Sequence, residues 1–363
     1  MKILRDSLGC DFLLSLPEER SGGAVRLLQL TDTQIIDSSQ RRTPDRLRVD
    51  EILAWSPDRF DPNCFDHIRA LVTATKPDLI FITGDIVYGS FDDSGATFER
   101  FCDFMDSLEI PWAPVFGNHD NESARGVAWQ CERFSASRYC LFARGNVSGN
   151  SNYTVGISVG GELLRVIYMI DSNGARGATD PAVIKEKGIY PDQIEWMRDS
   201  YAKIVEKAGR RVPTFLAFHI PTTDFTEIEI VKGYRTQERT RYAIGVDAPA
   251  KDGDFGANYE THDVSYIELD GFRDLLSEIS ADAVFVGHCH SINTVISHGG
   301  VSFIFGLKTG QYDYHNPYQL GGTAVSLTEN GFEISHVPAL VRNYGFPGGA
   351  KIFADLFVCT EDR

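Results

Sequence analysis

Five apolar runs in this chain end in the same narrow set of side chains, and those side chains are metal donors. "LLQLTD" stops at Asp32, "LIFITGD" at Asp85, "APVFGNH" at Asn118 and His119, "TFLAFH" at His219, and "AVFVGHCH" at His288 and His290. Carboxylates, an amide oxygen and imidazoles suit transition-metal cations. One such ending is ordinarily a turn or a cap. Five, drawn only from Asp, Asn and His, indicate one shared centre, because loops at the carboxyl ends of strands in open α/β sheets converge on a ligand.

The runs that carry these residues must be buried strands, and the segments between them read as helices. "CFDHIRALVTAT" puts Phe65, Ile68, Leu71 and Val72 on one helical face. "ATFERFCDFMDSL", "PDQIEWMRDSYAKIVEKA" and a segment from about Gly271 read the same way. This alternation predicts an α/β domain with parallel pairing. "FLLSL" and "VRLLQL" flank the polar, glycine-containing "PEERSGGA" and read as a hairpin, as do the two halves of "TAVSLTENGFEISHV". One large domain over 25–340 is expected, preceded by an N-terminal hairpin strand within 1–24 and followed by a tail over 341–363. A polar insertion lies at about 227–262.

A content of 42% hydrophobic and 24% charged residues suits a globular chain with a large core. The net charge of −16 repels polyanions, so nucleic acid and anionic membranes are not expected partners. No apolar stretch is long enough to span a bilayer. Arg5, Asp6 and Asp11 interrupt the apolar segment that a signal peptide needs, and seven scattered cysteines suit a reducing compartment. A cytoplasmic location is expected.

The five endings, in order, resemble the calcineurin-like metallophosphoesterases, whose pattern is D-x-H, G-D, G-N-H-[DE], a lone His and G-H-x-H. The matching residues are Asp32-Thr33-Gln34, Gly84-Asp85, Gly117-Asn118-His119-Asp120, His219 and Gly287-His288-Cys289-His290. "IPWAPVFGNHDNES", "AFHIP" and "VFVGHCH" look most like the small branch related to purple acid phosphatases. The resemblance implies a four-layer α/β/β/α sandwich of two mixed sheets and two transition-metal ions, of iron, zinc or manganese. It implies that Asp85 bridges both ions, that Asp32 and His290 hold the first, and that Asn118, His219 and His288 hold the second. A hydroxide between the ions would be the nucleophile, a small phosphorylated molecule the substrate, and His119 the residue that contacts the phosphoryl group or protonates the leaving oxygen.

Gln34 departs from the pattern, since the family usually places a first-metal histidine there. Purple acid phosphatases also lack that histidine and supply a tyrosine three residues after the bridging Asp, a position held here by Tyr88 in "GDIVYG". Tyr88 either completes the first site as a hard anionic donor or packs at the start of a loop, with Gln34 binding weakly or through water. "IVYGS" replaces the "xVDRG" of the protein Ser/Thr phosphatases, which argues against that activity. Monoesters and diesters both remain open as substrates. The rival class is a catalytically degenerate module that binds metal or a phosphorylated ligand.

Weaker signals carry two readings each. Arg41, Arg42, Arg46 and Arg48 either bind a second anionic group or form a solvated loop paired with acids. "KGYRTQERTRY" either lines the substrate pocket or is surface. Asp171 either approaches the site or caps a turn. Cys289 lies between two ligand histidines but faces the other way on an extended segment, and is expected to be buried. His67, His262, His298, His315 and His336 match no motif and are expected to be structural or exposed.

Overall fold

A computed structural model describes residues 1–18, 23–36, 57–234 (apart from 93, 176, 177 and 179), 253–260, 263–264 and 271–339. In chain order the strands are β1 (Lys2–Ser7), β2 (Cys10–Leu16), β3 (Val25–Leu30), β4 (Leu79–Thr83), β5 (Trp112–Val115), β6 (Tyr153–Val159) and β7 (Glu162–Met169). They continue with β8 (Thr214–Ala217), β9 (Ala281–Val286), β10 (Val295–His298), β11 (Val301–Phe305), β12 (Gly321–Thr328) and β13 (Gly331–Pro338). The α-helices are α1 (Pro57–Thr75), α2 (Ala96–Ser107), α3 (Val127–Ala136), α4 (Pro191–Ala208), α5 (Thr223–Lys232) and α6 (Phe272–Glu278).

Two mixed sheets result, ordered β1-β2-β6-β7-β8-β9-β11-β10 and β13-β12-β3-β4-β5. β3, β4 and β5 are parallel neighbours in one, and β7, β8, β9 and β11 in the other. β4 is buried at every position, as a central parallel strand covered on both faces must be. Between the sheets, the Phe81 ring of β4 meets Phe285 of β9 edge-on at 5.1 Å, and Phe285 meets Phe215 of β8 at 5.3 Å. Truncation of this central ring, Phe285→Ala, is expected to cost about 3–5 kcal/mol of stability, read as a lowered midpoint in urea with an unchanged slope.

Helices close both outer faces. α1 lies against β3 and β12, while Phe98 of α2 packs on Phe134 of α3, which reaches Trp112 of β5. On the other side α4 lies on β7, α5 on β10 and α6 on β9, burying Met197, Ile204, Phe225, Phe272 and Leu275. α4 starts with Pro191 at its first position and stops at Gly209, whose φ of 67° is left-handed. The layers are α/β/β/α, as the resemblance implied.

The N-terminal pairing differs from expectation. β2 and β3 form no hairpin, since β2 belongs to the eight-stranded sheet and β3 to the five-stranded one. β2 pairs instead with β1 through a tight turn at Leu8 and Gly9, both at positive φ (54° and 81°). β1 escaped notice because it is an exposed edge strand in which charged residues interrupt the apolar ones. The expected polar insertion opens with a helix, since α5 covers its first residues. The β12–β13 hairpin forms as read, in the register Thr328 to Gly331.

Arg41, Arg42, Arg46 and Arg48, most of "KGYRTQERTRY", His262 and the tail lie outside the described residues. Among the described residues, no helix is long and apolar enough to cross a membrane.

Candidate metal centre

The parallel runs β3-β4-β5 and β8-β9 point their carboxyl ends at one rim, and the donors stand two to four residues beyond the last residue of each strand. These extensions bend sharply. Asp32, Gln34, Asp85 and His288 all sit at positive φ, 51°, 42°, 52° and 73°, where non-glycine residues are uncommon. The glycines of the motifs allow the loops to touch. A Cβ on Gly117 would come within 2.2 Å of Asp85 Oδ1, and one on Gly287 within 2.0 Å of Thr31 Oγ1.

Among the described residues, two groups of donors gather with ligand atoms within 4.8 Å of one another: Asp85, His219 and His288, and Asp32, Asp85 and His290. Asp85 belongs to both. Its Oδ1 accepts the His119 backbone N–H at 2.8 Å, and its Oδ2 lies 3.2 Å from His219 Nε2. His288 Nδ1 stands 3.2 Å from that same His219 nitrogen. His290 Nε2 is 3.3 Å from Asp32 Oδ1.

The imidazoles are aimed from behind. His219 Nδ1–H donates to Thr83 O at 2.7 Å, and His290 Nδ1–H to Tyr314 O at 2.8 Å. Each bond fixes a tautomer that leaves Nε2 as the lone-pair donor, the usual arrangement behind a metal-binding histidine. His288 Nε2 is backed by Asp263 at 3.3 Å, and Asp263 is paired with Lys187. Asp32 Oδ2 accepts from Thr31 Oγ1 (2.7 Å) and the His288 N–H (3.0 Å). Asp32 Oδ1 and Asn118 Oδ1 are buried with no hydrogen-bond donor, as oxygens reserved for a cation would be. The donor types, the shared carboxylate and these two oxygens fit a pair of metal ions.

Electrostatics agree. Burial pushes the Asp32 and Asp85 carboxyls up, but the neighbouring histidines outweigh it and hold both well below the usual range. Burial depresses His219, yet Asp85 and Asp32 raise it to about 9, so a cation taken up at Nε2 would displace a proton from that nitrogen. Asp120 is different. Burial and the Asp85 charge push it up to about 7, and it clamps the backbone, accepting from Ile86 N, Val87 N and Gly117 N at 2.8–3.0 Å. It ties the Asp85 loop to the Asn118 loop.

His119 faces outward with 17% of its side chain exposed. Its Nδ1–H donates to buried Glu122 at 2.8 Å, and Glu122 also accepts from Ser90 Oγ at 3.2 Å. Burial opposes protonation of His119, but Asp85 and Glu122 overcome it, raising the ring to about 9. The Tyr88 ring stacks on His119 at 4.2 Å and meets Tyr312 edge-on.

Gln34 has a specific job. Its Oε1 accepts from the ammonium of Lys308, and its Nε2 donates to Asp85 Oδ2 at 3.3 Å. Lys308, 2% exposed, also donates to Asp32 O at 3.0 Å. Burial pulls its pKa below the ordinary lysine value against the carboxylates of Asp32, Asp313 and Asp85. Three contributors escaped the sequence reading. Lys308 follows β11 in "FIFGLK", another apolar run with a polar end. Glu122 lies three residues beyond His119, and Asp263 lies at the edge of the polar insertion. Of the weaker signals, Asp171 caps a turn, accepting from Asn150 N and Asn173 N, and Cys289 is buried outside both donor groups. His67, His315 and His336 lie outside the donor groups as well, each bonded to a backbone carbonyl.

The family model for calcineurin-like phosphoesterases matches residues 25–292. The chain is 25% identical over 294 residues to Phosphatase DCR2 of Saccharomyces cerevisiae, a match covering 75% of this chain and 45% of that protein. It is 23% identical over 329 residues to probable inactive purple acid phosphatase 28 of Arabidopsis thaliana, covering 82% and 73%. Among solved structures, a dimetal phosphatase from Danio rerio superposes with a TM-score of 0.49 at 11% identity, covering 87% of this chain and 99% of that one.

Proposed function

Because the chain belongs to the calcineurin-like phosphoesterases, we propose that it hydrolyses a small phosphomonoester or phosphodiester at two cations held by Asp32, Asp85, Asn118, His219, His288 and His290. The observation that carries this reading is the membership of Asp85 in both donor groups. When bound, such a pair supplies neutralisation of phosphoryl charge and activation of the attacking water. The chain's own side chains do the rest. Glu122 holds Nδ1 of His119, which turns the Nε2–H toward a phosphoryl oxygen or the leaving oxygen. Asp120 keeps the two loops that carry Asp85, Asn118 and His119 in register.

A reducing compartment such as the cytoplasm belongs to the same proposal, supported by six free, buried cysteines among the described residues. Tyr88 is the remaining donor for the first position, following Asp85 on the same loop and lying against His119. Iron-loaded protein is then expected to absorb in the visible, and Tyr88→Phe to bleach it. A band that survives the substitution removes Tyr88 from the ligand set.

The Lys308–Gln34 contact favours a second reading, a module that binds a phosphorylated ligand without turnover. Hydrolysis of an aryl phosphate and an aryl phosphodiester by metal-replete protein separates the two. Turnover that His119→Asn abolishes supports the enzyme. Absence of turnover, with phosphate bound equally by the wild type and His119→Asn, supports the module.

A further inference from the structure

One buried cation already belongs to the carboxylate cluster. The Lys308 ammonium bonds the Asp32 carbonyl and the Gln34 amide, and Gln34 passes that contact on to Asp85 Oδ2. Its position is set by backbone. In the loop after β11, Thr309 N donates to Thr31 O at 2.9 Å and Gly310 N to Asp32 O at 3.2 Å. A Cβ on Gly310 would meet Thr33 O at 1.8 Å, so the loop lies directly against the strand end that carries Asp32. Lys308 therefore has little freedom to withdraw.

The consequences fall unequally on the two donor groups: Lys308 bonds the carbonyl of Asp32, a member of one group alone, and reaches the shared Asp85 through Gln34. The group of Asp32, Asp85 and His290 gains a neighbouring positive charge, and the Gln34 oxygen beside it is consumed by that charge. At the group of Asp85, His219 and His288 the nearby lysine, Lys187, is paired with Asp263, and Asn118, which the family resemblance assigns to this group, keeps a buried oxygen without a donor. Like charges a few ångströms apart in a buried site repel far more strongly than in water.

Resting on the two-cation reading above, we propose that Lys308 is a built-in counter-cation that makes the two positions unequal. The position of Asp85, His219, His288 and Asn118 retains its ion. The position of Asp32, Asp85 and His290 exchanges its ion with solution, so the second ion arrives from the medium. Lys308 is a positioning residue in this scheme, acting through charge and through Gln34.

The test is metal stoichiometry of the full chain after dialysis into metal-free buffer, followed by titration calorimetry with Mn²⁺. Wild type is expected to keep about one ion and to bind a second weakly. Lys308→Met is expected to tighten the second step by about tenfold or more. Lys308→Gln removes the charge but keeps a polar end able to bond Asp32 O and Gln34, and is expected to act in the same direction, which covers failure of the first variant to fold. Wild type that keeps two ions through dialysis overturns the proposal and leaves the two-cation reading intact. So does wild-type second affinity in folded Lys308→Met or folded Lys308→Gln. No second ion in any of the three at millimolar Mn²⁺ overturns the two-cation reading itself.

Discussion

His119→Asn is expected to lower kcat on an aryl phosphate by about 10²- to 10⁴-fold, the range for a lost proton donor, with bound metal unchanged. The separation is possible because His119 contacts the shared carboxylate of Asp85 through its backbone. Its N–H donates to Asp85 Oδ1, and that bond survives any side chain. The ring points the other way, onto Tyr88 and Glu122. Asn keeps a polar side chain but loses the Nε2–H. Glu122→Gln is expected to lower kcat less, because it leaves the ring in place and removes only the charge behind it. Loss of metal in His119→Asn would show that the ring supports the donor cluster and would remove its role as proton donor.

Asp85→Asn is expected to abolish turnover and to lose the ion that survives dialysis. No other residue belongs to both donor groups, so one substitution withdraws an anionic oxygen from each. Misfolding is a poor explanation in advance. Asn is tolerated in the left-handed region where Asp85 sits, and its side-chain oxygen can still accept from His119 N. The change also relieves crowding of buried carboxyls, since the Asp85 charge helps push Asp120 up to about 7. The histidines that hold the Asp85 carboxyl well below its usual range outweigh that relief, so without metal the variant is expected to fold but to melt below the wild type in calorimetry at neutral pH. A variant that still retains its ion would exclude Asp85 as the shared ligand.

Much of this was legible in the chain because strand ends in parallel sheets are written locally. Apolar runs such as "LIFIT" and "AVFV" identify buried strands, and the polar residue after each run lies at the carboxyl rim whatever the rest of the chain does. What could not be read was pairing over long separations. Gln34 looked like a weak ligand until Lys308, 274 positions away, was found to hold its oxygen. Asp263 is invisible as a support for His288 for the same reason, because only the folded loops bring it near. β2 was assigned the wrong partner because a polar, glycine-containing linker reads the same whether the chain turns back or crosses to the other sheet. β6, "YTVGISV", passed unread, its alternation interrupted by Gly156 against Cys10 and Leu13.

The left-handed backbone at Asp32, Gln34, Asp85 and His288 bears on how this sequence could drift. A side chain in that region costs roughly 1–2 kcal/mol in an unconstrained chain, and glycine pays almost none of it. Substitution by glycine at these sites would thus relieve strain, and at Asp32 and Asp85 would remove a buried carboxylate in the same step. Under selection for stability alone, such replacements are readily available. A chain that holds carboxylates, an amide and an imidazole at four such positions keeps them against that gradient, and the force that holds them there is chemistry at the rim.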